Sequence, residues 1–298
     1  MKKCTILCFL LVVAISHFTS CNNEEEIDPG KSIFTTDPIE RNEFDKWVLS
    51  NYTNPYNIDL KYRMEDIESD MTHVLVPADY DKSVVLAKIV KHVWIEAYDE
   101  VTGSPSFLRQ YVPKTLHLIG SPAFEDNGTM VVGTAEGGMK VTLYNVNDLD
   151  VSHVDIEMLN EYYFETMHHE FCHILHQTKN FNPAFERITE SDYIGGDWYL
   201  KKTQEAWKLG FVTPYAMSEA REDFVENIAM FVTHDEAYWS NMLANAGTSG
   251  ATIINKKFAI AYDYMKEIWG IDLKILRKVV LRRQSEVSDG VLDLSIIK

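Results

Sequence analysis

Apolar residues recur every three to four positions along several stretches of the chain and alternate in a few shorter ones. Val84, Val85, Ala87, Ile89, Val90, Val93, Trp94 and Ala97 give residues 81–98 a helical period. Asp37-Pro38 ahead of residues 39–49 predicts a helix with Asp37 as its cap and Pro38 in its first turn. Residues 56–63, 115–120, 129–133 and 140–146 alternate like strands, and the glycine pair Gly137-Gly138 marks a turn or close approach between the last two. Residues 178–217 are rich in aromatic, glycine and polar residues and read as a loop or lid around Gly195, Gly196 and Trp198. After them, residues 218–234, 253–269 and 273–281 return to the helical period. Helices with a mixed sheet, then one central helix, then a helical C-terminal half predict an α+β fold.

The central helix carries the candidate chemistry. Phe164, Met167, Phe171, Ile174 and Leu175 fall on one face, and His169 and His173 fall on another. Four residues apart on a helix, these two imidazoles can grip one metal ion. Glu170 sits about 100° around the helix, where its carboxylate reaches a water beside the metal rather than the metal itself. His169-Glu170-Phe171-Cys172-His173 is thus a His-Glu-x-x-His motif, the pattern of a zinc hydrolase with Glu170 as general base. Chance alone would supply the motif in about 3% of chains of this composition, so a third ligand is needed to support it.

Tetrahedral zinc held by two imidazoles needs one more protein ligand and a water. The candidates beyond the motif are His176, Glu219, Glu222, Glu226 and His234. His176 shares the face of His169 and His173 but lies too far along a continuing helix. Glu222 and Glu226 share one face of the next helical stretch with the small Ala229, while Phe224, Ile228 and Phe231 occupy the opposite face. Burying two carboxylates without partners is costly, and a dication with its imidazoles supplies those partners.

The ends and the composition set the compartment. Residues 1–20 read as a secretory signal: Lys2 and Lys3, an apolar run over residues 6–15 that is too short to span a bilayer, then mostly small residues. Phe18-Thr19-Ser20-Cys21 resembles a bacterial lipobox with Cys21 as the lipidated residue, although Leu is usual where Phe18 stands. Residues 21–36 form a polar, acidic tether, and residues 37–298 are long enough for one metallopeptidase-sized domain. Of four cysteines, Cys4 and Cys8 leave with the signal; Cys21 and Cys172 remain, so no disulfide framework is expected. Removal of the two lysines takes the formal net charge from −17 to −19, which argues against nucleic acid or an anionic membrane surface as ligand.

Glu222-Asp223-Phe224-Val225-Glu226 after the motif resembles the gluzincin layout, and Tyr215, seven residues before Glu222, extends that likeness to the catalytic domain of anthrax lethal factor. The resemblance implies that Glu222 is the third zinc ligand, that Tyr215 donates a hydrogen bond to the transition state, and that Glu226 stands behind a ligand imidazole. Cys172 departs from the glycine found there in lethal factor. By the same analogy with zincins, the strand at residues 140–146 is expected to be the sheet edge along the cleft, paired with an extended substrate. Across most of its length the chain also resembles the zinc-binding metallopeptidase lipoproteins of Bacteroidetes. Its lipobox, Tyr56-Asn57-Ile58, Leu118-Ile119-Gly120-Ser121, Gly133-Thr134-Ala135, Gly137-Gly138 and the two metal-binding helices carry this likeness. It implies an outer-membrane lipoprotein on the cell surface that cleaves peptide or protein substrates with Zn²⁺, associated with a nutrient-import complex. Two alternatives stay open: a binding component whose zinc is not catalytic, and a zinc hydrolase of another amide bond.

Overall fold

The computed structural model describes residues 40–297 apart from 71, 127, 132, 137 and 138, and Arg41–Lys298 forms one compact unit. The expected signal peptide, the expected lipidation site at Cys21, the expected tether and the expected Asp37 cap lie outside the described residues. The first described helix, α1 (Glu43–Val48), begins instead at Asn42, whose side chain accepts from the Asp45 amide while Asp45 accepts from the Asn42 amide. A π-helical turn (Leu49–Thr53) and a helical turn (Asn54–Tyr56) continue it, and Asn57 ends it with φ of 57°. The predicted strand over residues 56–63 therefore shrinks to β1 (Asp59–Lys61).

Helix α2 (Tyr80–Val90) is capped by Asp79 and runs through a π turn (Lys91–Ile95) into α3 (Glu96–Thr102). Helix α4 (Ser106–Tyr111) leads to β2 (Thr115–Leu118), and a small hairpin, β3 (Ala123–Phe124) with β4 (Met130–Val131), stands apart from the main sheet. Strands β5 (Gly133–Glu136) and β6 (Lys140–Leu143) complete a four-stranded sheet of order β1-β2-β6-β5. β1, β2 and β6 are parallel, and β5 runs antiparallel to β6, so the sheet is mixed. The expected edge strand is consequently not the edge. β6 lies between β2 and β5 with Val141, Thr142 and Leu143 all buried, and β5 is the edge.

Helix α5 (Ile156–Leu159) passes through a π turn (Asn160–Phe164) into α6 (Glu165–Thr178), the helix of the motif. Its apolar face packs as the sequence predicts: Phe171 meets Trp94 and Tyr98 edge-on at ring distances of 5.7 and 5.0 Å, with Met167 and Leu175 fully covered. Residues 178–217 are more ordered than a loop, holding 3₁₀ turns at Glu186–Ile188, Gly195–Leu200 and Tyr215–Met217 and helix α7 (Thr203–Leu209). Helices α8 (Ala220–Thr233), α9 (Glu236–Asp263, kinked at Gly247) and α10 (Leu273–Ser288) form the helical C-terminal half. The architecture is the expected α+β one. Asn160 bonds both the Thr233 carbonyl (3.2 Å) and Gln284 (2.6 Å), tying the entrance of α6 to α8 and α10.

An ionic network joins α3 to α10: Arg283 bonds Glu96 at 3.0 Å and Glu100 at 2.9 Å, while Lys91 and His92 also reach Glu96. Burial favours neutral Glu96, but the hydrogen bonds from His92 and Lys91 and the charge of Arg283 outweigh it and bring its carboxyl from 4.5 down to about 2. Between those values the unfolded chain binds a proton that the folded chain does not, so stability falls as pH falls. The full shift would correspond to about 3 kcal/mol, and partial exposure reduces the expected contribution to about 1–2 kcal/mol. Glu96→Gln should therefore flatten the acid limb of a urea-denaturation series measured from pH 6 to pH 2; an unchanged limb would remove this network from the acid stability.

Candidate metal centre

Helices α6 and α8 lie side by side and bring four side chains together. His169 Nε2 and His173 Nε2 are 3.0 Å apart. Glu222 Oε2 lies 3.0 Å from the first and 3.2 Å from the second. Donors about 2.0–2.1 Å from one zinc in a tetrahedron stand about 3.4 Å from one another, so this triangle of two nitrogens and one oxygen fits that ion. A carboxylate oxygen of Glu170 lies within 4.8 Å of donor nitrogens of both histidines.

Behind the triangle each imidazole has an outer partner. His169 Nδ1 meets Glu226 Oε1 at 2.7 Å, and Thr213 donates to Glu226 Oε2 at 2.6 Å. His173 Nδ1 meets His176 Nε2 at 2.8 Å. With a cation in the triangle both Nε2 atoms act as electron-pair donors, so the two Nδ1 atoms would carry the protons and donate outward. Thr213 is itself held by the Ala216 amide at 3.0 Å, inside the turn that precedes α8. Neither Thr213 nor the outer role of His176 was legible in the sequence; a threonine before Pro214 is an ordinary turn signal.

The electrostatics follow from burial and from this crowd of charges. Burial opposes protonation of His169, but the carboxylates of Glu222 and Glu226 outweigh it and push the imidazole up to about 10. Glu222 is drawn the other way: burial favours its neutral form, yet the two imidazoles hold its carboxyl well below the usual range. This mutual attraction is the response of a carboxylate and two imidazoles to a shared site, the same set that a cation would bind. Burial raises Glu170 against the opposing pull of His169 and His173. Tyr215 is pushed up by burial and by the charges of Glu222, Glu226 and Glu170, so its phenol stays protonated. Its ring lies 5.8 Å from His169, and Trp198 packs edge-on against it at 5.1 Å.

The remaining candidates fall elsewhere. His234 turns to Glu165 at 3.5 Å and to the Met230 carbonyl, and Glu219 is an exposed residue at the start of α8. Cys172 is buried in the apolar face of α6, where burial pushes its thiol up, as expected of packing rather than chemistry.

A family model described as "Putative zinc-binding metallo-peptidase" matches residues 37–274. The chain belongs to that family. A crystal structure from Bacteroides caccae, described in the same words, is 52% identical and superimposes with a TM-score of 0.75 over 90% of this chain and 100% of that one. No curated protein matches the chain. Membership of a zinc-binding metallopeptidase family agrees with the donor triangle, and it makes zinc the cofactor of this fold.

Proposed function

We propose that the protein is a zinc-dependent peptidase that works outside the cytoplasm, held to the outer membrane through lipidated Cys21 and displayed on the cell surface. One observation carries the reading: the nitrogens of His169 and His173 and an oxygen of Glu222 converge to 3.0–3.2 Å with a second carboxylate, Glu170, beside them. His169, His173 and Glu222 hold zinc in this scheme. Bound zinc supplies Lewis acidity, lowering the pKa of a water to about 7 and polarising the scissile carbonyl.

The chain's own groups do the rest. Glu170, whose burial makes it a stronger base than a surface carboxylate, takes the proton of the attacking water and passes it to the leaving amine. Tyr215 keeps its proton and donates a hydrogen bond to the carbonyl oxygen as charge builds on it. Glu226 and His176 fix the ring orientation of His169 and His173, and Thr213 fixes Glu226. Acidic residues behind Cys21, and the resemblance to import-associated lipoproteins, support a role in supplying peptides to a nutrient-import complex.

Purified protein loaded with zinc should cleave members of a mixed peptide library, lose that activity to a chelator and regain it with zinc. In cells, Cys21→Ser should move the protein out of the membrane fraction. Zinc-loaded protein that cleaves no library member would overturn the peptidase reading, and membrane retention of the Cys21 variant would overturn the anchor.

A further inference from the structure

Tyr215 is the exposed member of the metal centre. It is 36% exposed, so no enclosing core fixes its ring, while the charges of Glu222, Glu226 and Glu170 all act on its phenol. Among the described residues its ring has two aromatic neighbours: His169 of the donor triangle at 5.8 Å, and half-buried Trp198, edge-on at 5.1 Å. A phenol on a free side chain spreads over several rotamers, and a hydrogen bond to a reacting oxygen tolerates little misplacement. Whatever holds the ring therefore bears on the rate.

The turn that carries Trp198 is tied to the backbone that carries Tyr215. The Ile194 amide donates to the Met217 carbonyl at 2.8 Å, and the Gly195 amide donates to the Ser218 carbonyl at 3.1 Å. Gly195 turns the chain there with φ of 59°, and the Lys201 amide closes the turn on the Trp198 carbonyl at 3.0 Å. Just ahead of the turn, Tyr193 donates to Asp223 of α8 at 2.9 Å. On the other side, the amide and hydroxyl of Ser218 both donate to the Tyr215 carbonyl, at 2.9 and 2.7 Å. Both rings thus stand on one hydrogen-bonded frame. We propose that Trp198 is a positioning residue of the peptidase: its indole holds the Tyr215 ring against His169, so that the phenol is in place when charge builds on the scissile carbonyl. This role rests on the peptidase reading above.

The test pairs a structural readout with a kinetic cycle, both on zinc-loaded protein. With tyrosine rings isotope-labelled and Tyr215 assigned through Tyr215→Phe, wild type and Trp198→Phe should show a nuclear Overhauser contact between the Tyr215 ring and the His169 imidazole. Trp198→Ala should lose most of it. Trp198→Ala should also lower kcat on the best library peptide by roughly two- to tenfold, the bias that one aromatic pair supplies. KM and zinc content should stay as in wild type, and Trp198→Phe should restore most of the rate. Tyr215→Phe removes the donor itself and should cost about 10²-fold in kcat. Adding Trp198→Ala to Tyr215→Phe should cost nothing more, because the indole then has no hydroxyl to place. An equal loss from Trp198→Ala in both backgrounds, a rise in KM at constant kcat, or an undiminished ring contact in Trp198→Ala overturns the positioning role. If the contact is lost as expected and wild type cleaves nothing, Trp198 still sets the ring and it is the peptidase reading that falls.

Discussion

Glu170→Ala protein should bind zinc as wild type does and lose cleavage by about three orders of magnitude or more. The expectation follows from position. Glu170 lies within 4.8 Å of the histidine donors, yet the carboxylate that closes the donor triangle is Glu222. Removing Glu170 therefore leaves all three donors in place and subtracts the proton acceptor, a contribution of about 10²–10⁴ for general-base catalysis. Zinc content by elemental analysis and turnover on the best library peptide give the two readouts. Glu222→Ala should behave differently, because it removes a donor: zinc content falls along with activity. Peptidase activity surviving in Glu170→Ala, with zinc bound, would assign the base to another group.

Lys257→Met should be strongly destabilising although it lies away from the centre. Lys257 is fully buried, with its ammonium 2.6 Å from Asp223 Oδ2, 3.0 Å from the Gly210 carbonyl and 3.6 Å from the centre of the Phe211 ring. Tyr193 donates to the same carboxylate oxygen at 2.9 Å. Burial raises Asp223 to about 6 against the pull of Lys257, and burial lowers Lys257. Each charge is tolerable only because of the other. Removing the cation leaves a carboxylate stranded at full burial, at a cost of about 3–5 kcal/mol. For a domain of this size that is a drop of about 10 °C in melting temperature. The double change Lys257→Met with Asp223→Leu should recover much of the loss, since neither charge then remains. A single-variant loss below about 1 kcal/mol would show that water or another group compensates. Because Asp223 follows Glu222 on α8, the same pair also fixes the register of the helix that completes the donor triangle.

Gly210 shows why this anchor has so little tolerance. It takes φ of 91°, and a Cβ there would come within 2.2 Å of Ile253, so its carbonyl reaches Lys257 only because the position lacks a side chain.

How far the sequence could lead differs between the site and its surroundings. His169, Glu170 and His173, and then Glu222 and Glu226, were legible because helical spacing of four residues is a local rule that needs no knowledge of the fold. The outer partners were not, because Thr213 and His176 acquire their roles from helix-to-helix proximity. The edge of the sheet, expected at residues 140–146 by analogy with zincins, falls elsewhere because pairing order is not written in the local pattern. Lys140 and Thr142 gave β6 the alternation of a half-exposed strand, while the glycine-rich stretch before it read as a turn; tertiary pairing makes that stretch the edge and covers both faces of β6. Helix α9 was seen only from residue 253 because Asn241, Asn245, Gly247 and Gly250 lower helix propensity ahead of it. Lys257 reads as a surface lysine in any periodicity; only Asp223, distant in sequence, makes its burial possible.

The π turn at Asn160–Phe164 has an evolutionary consequence. It holds one residue more than a regular turn, so deleting one residue would relax it to α, leaving the flanking helices nearly in register but re-placing the residues of the turn itself. Asn160 would swing away from Thr233 and Gln284, and Tyr163 from the Asn145 carbonyl it meets at 3.2 Å. A change of length in the five residues ahead of α6 would therefore cost these contacts, while exposed Glu161 stays free to vary. The spacing between Asn160 and His169 is what relatives sharing this donor triangle are expected to keep.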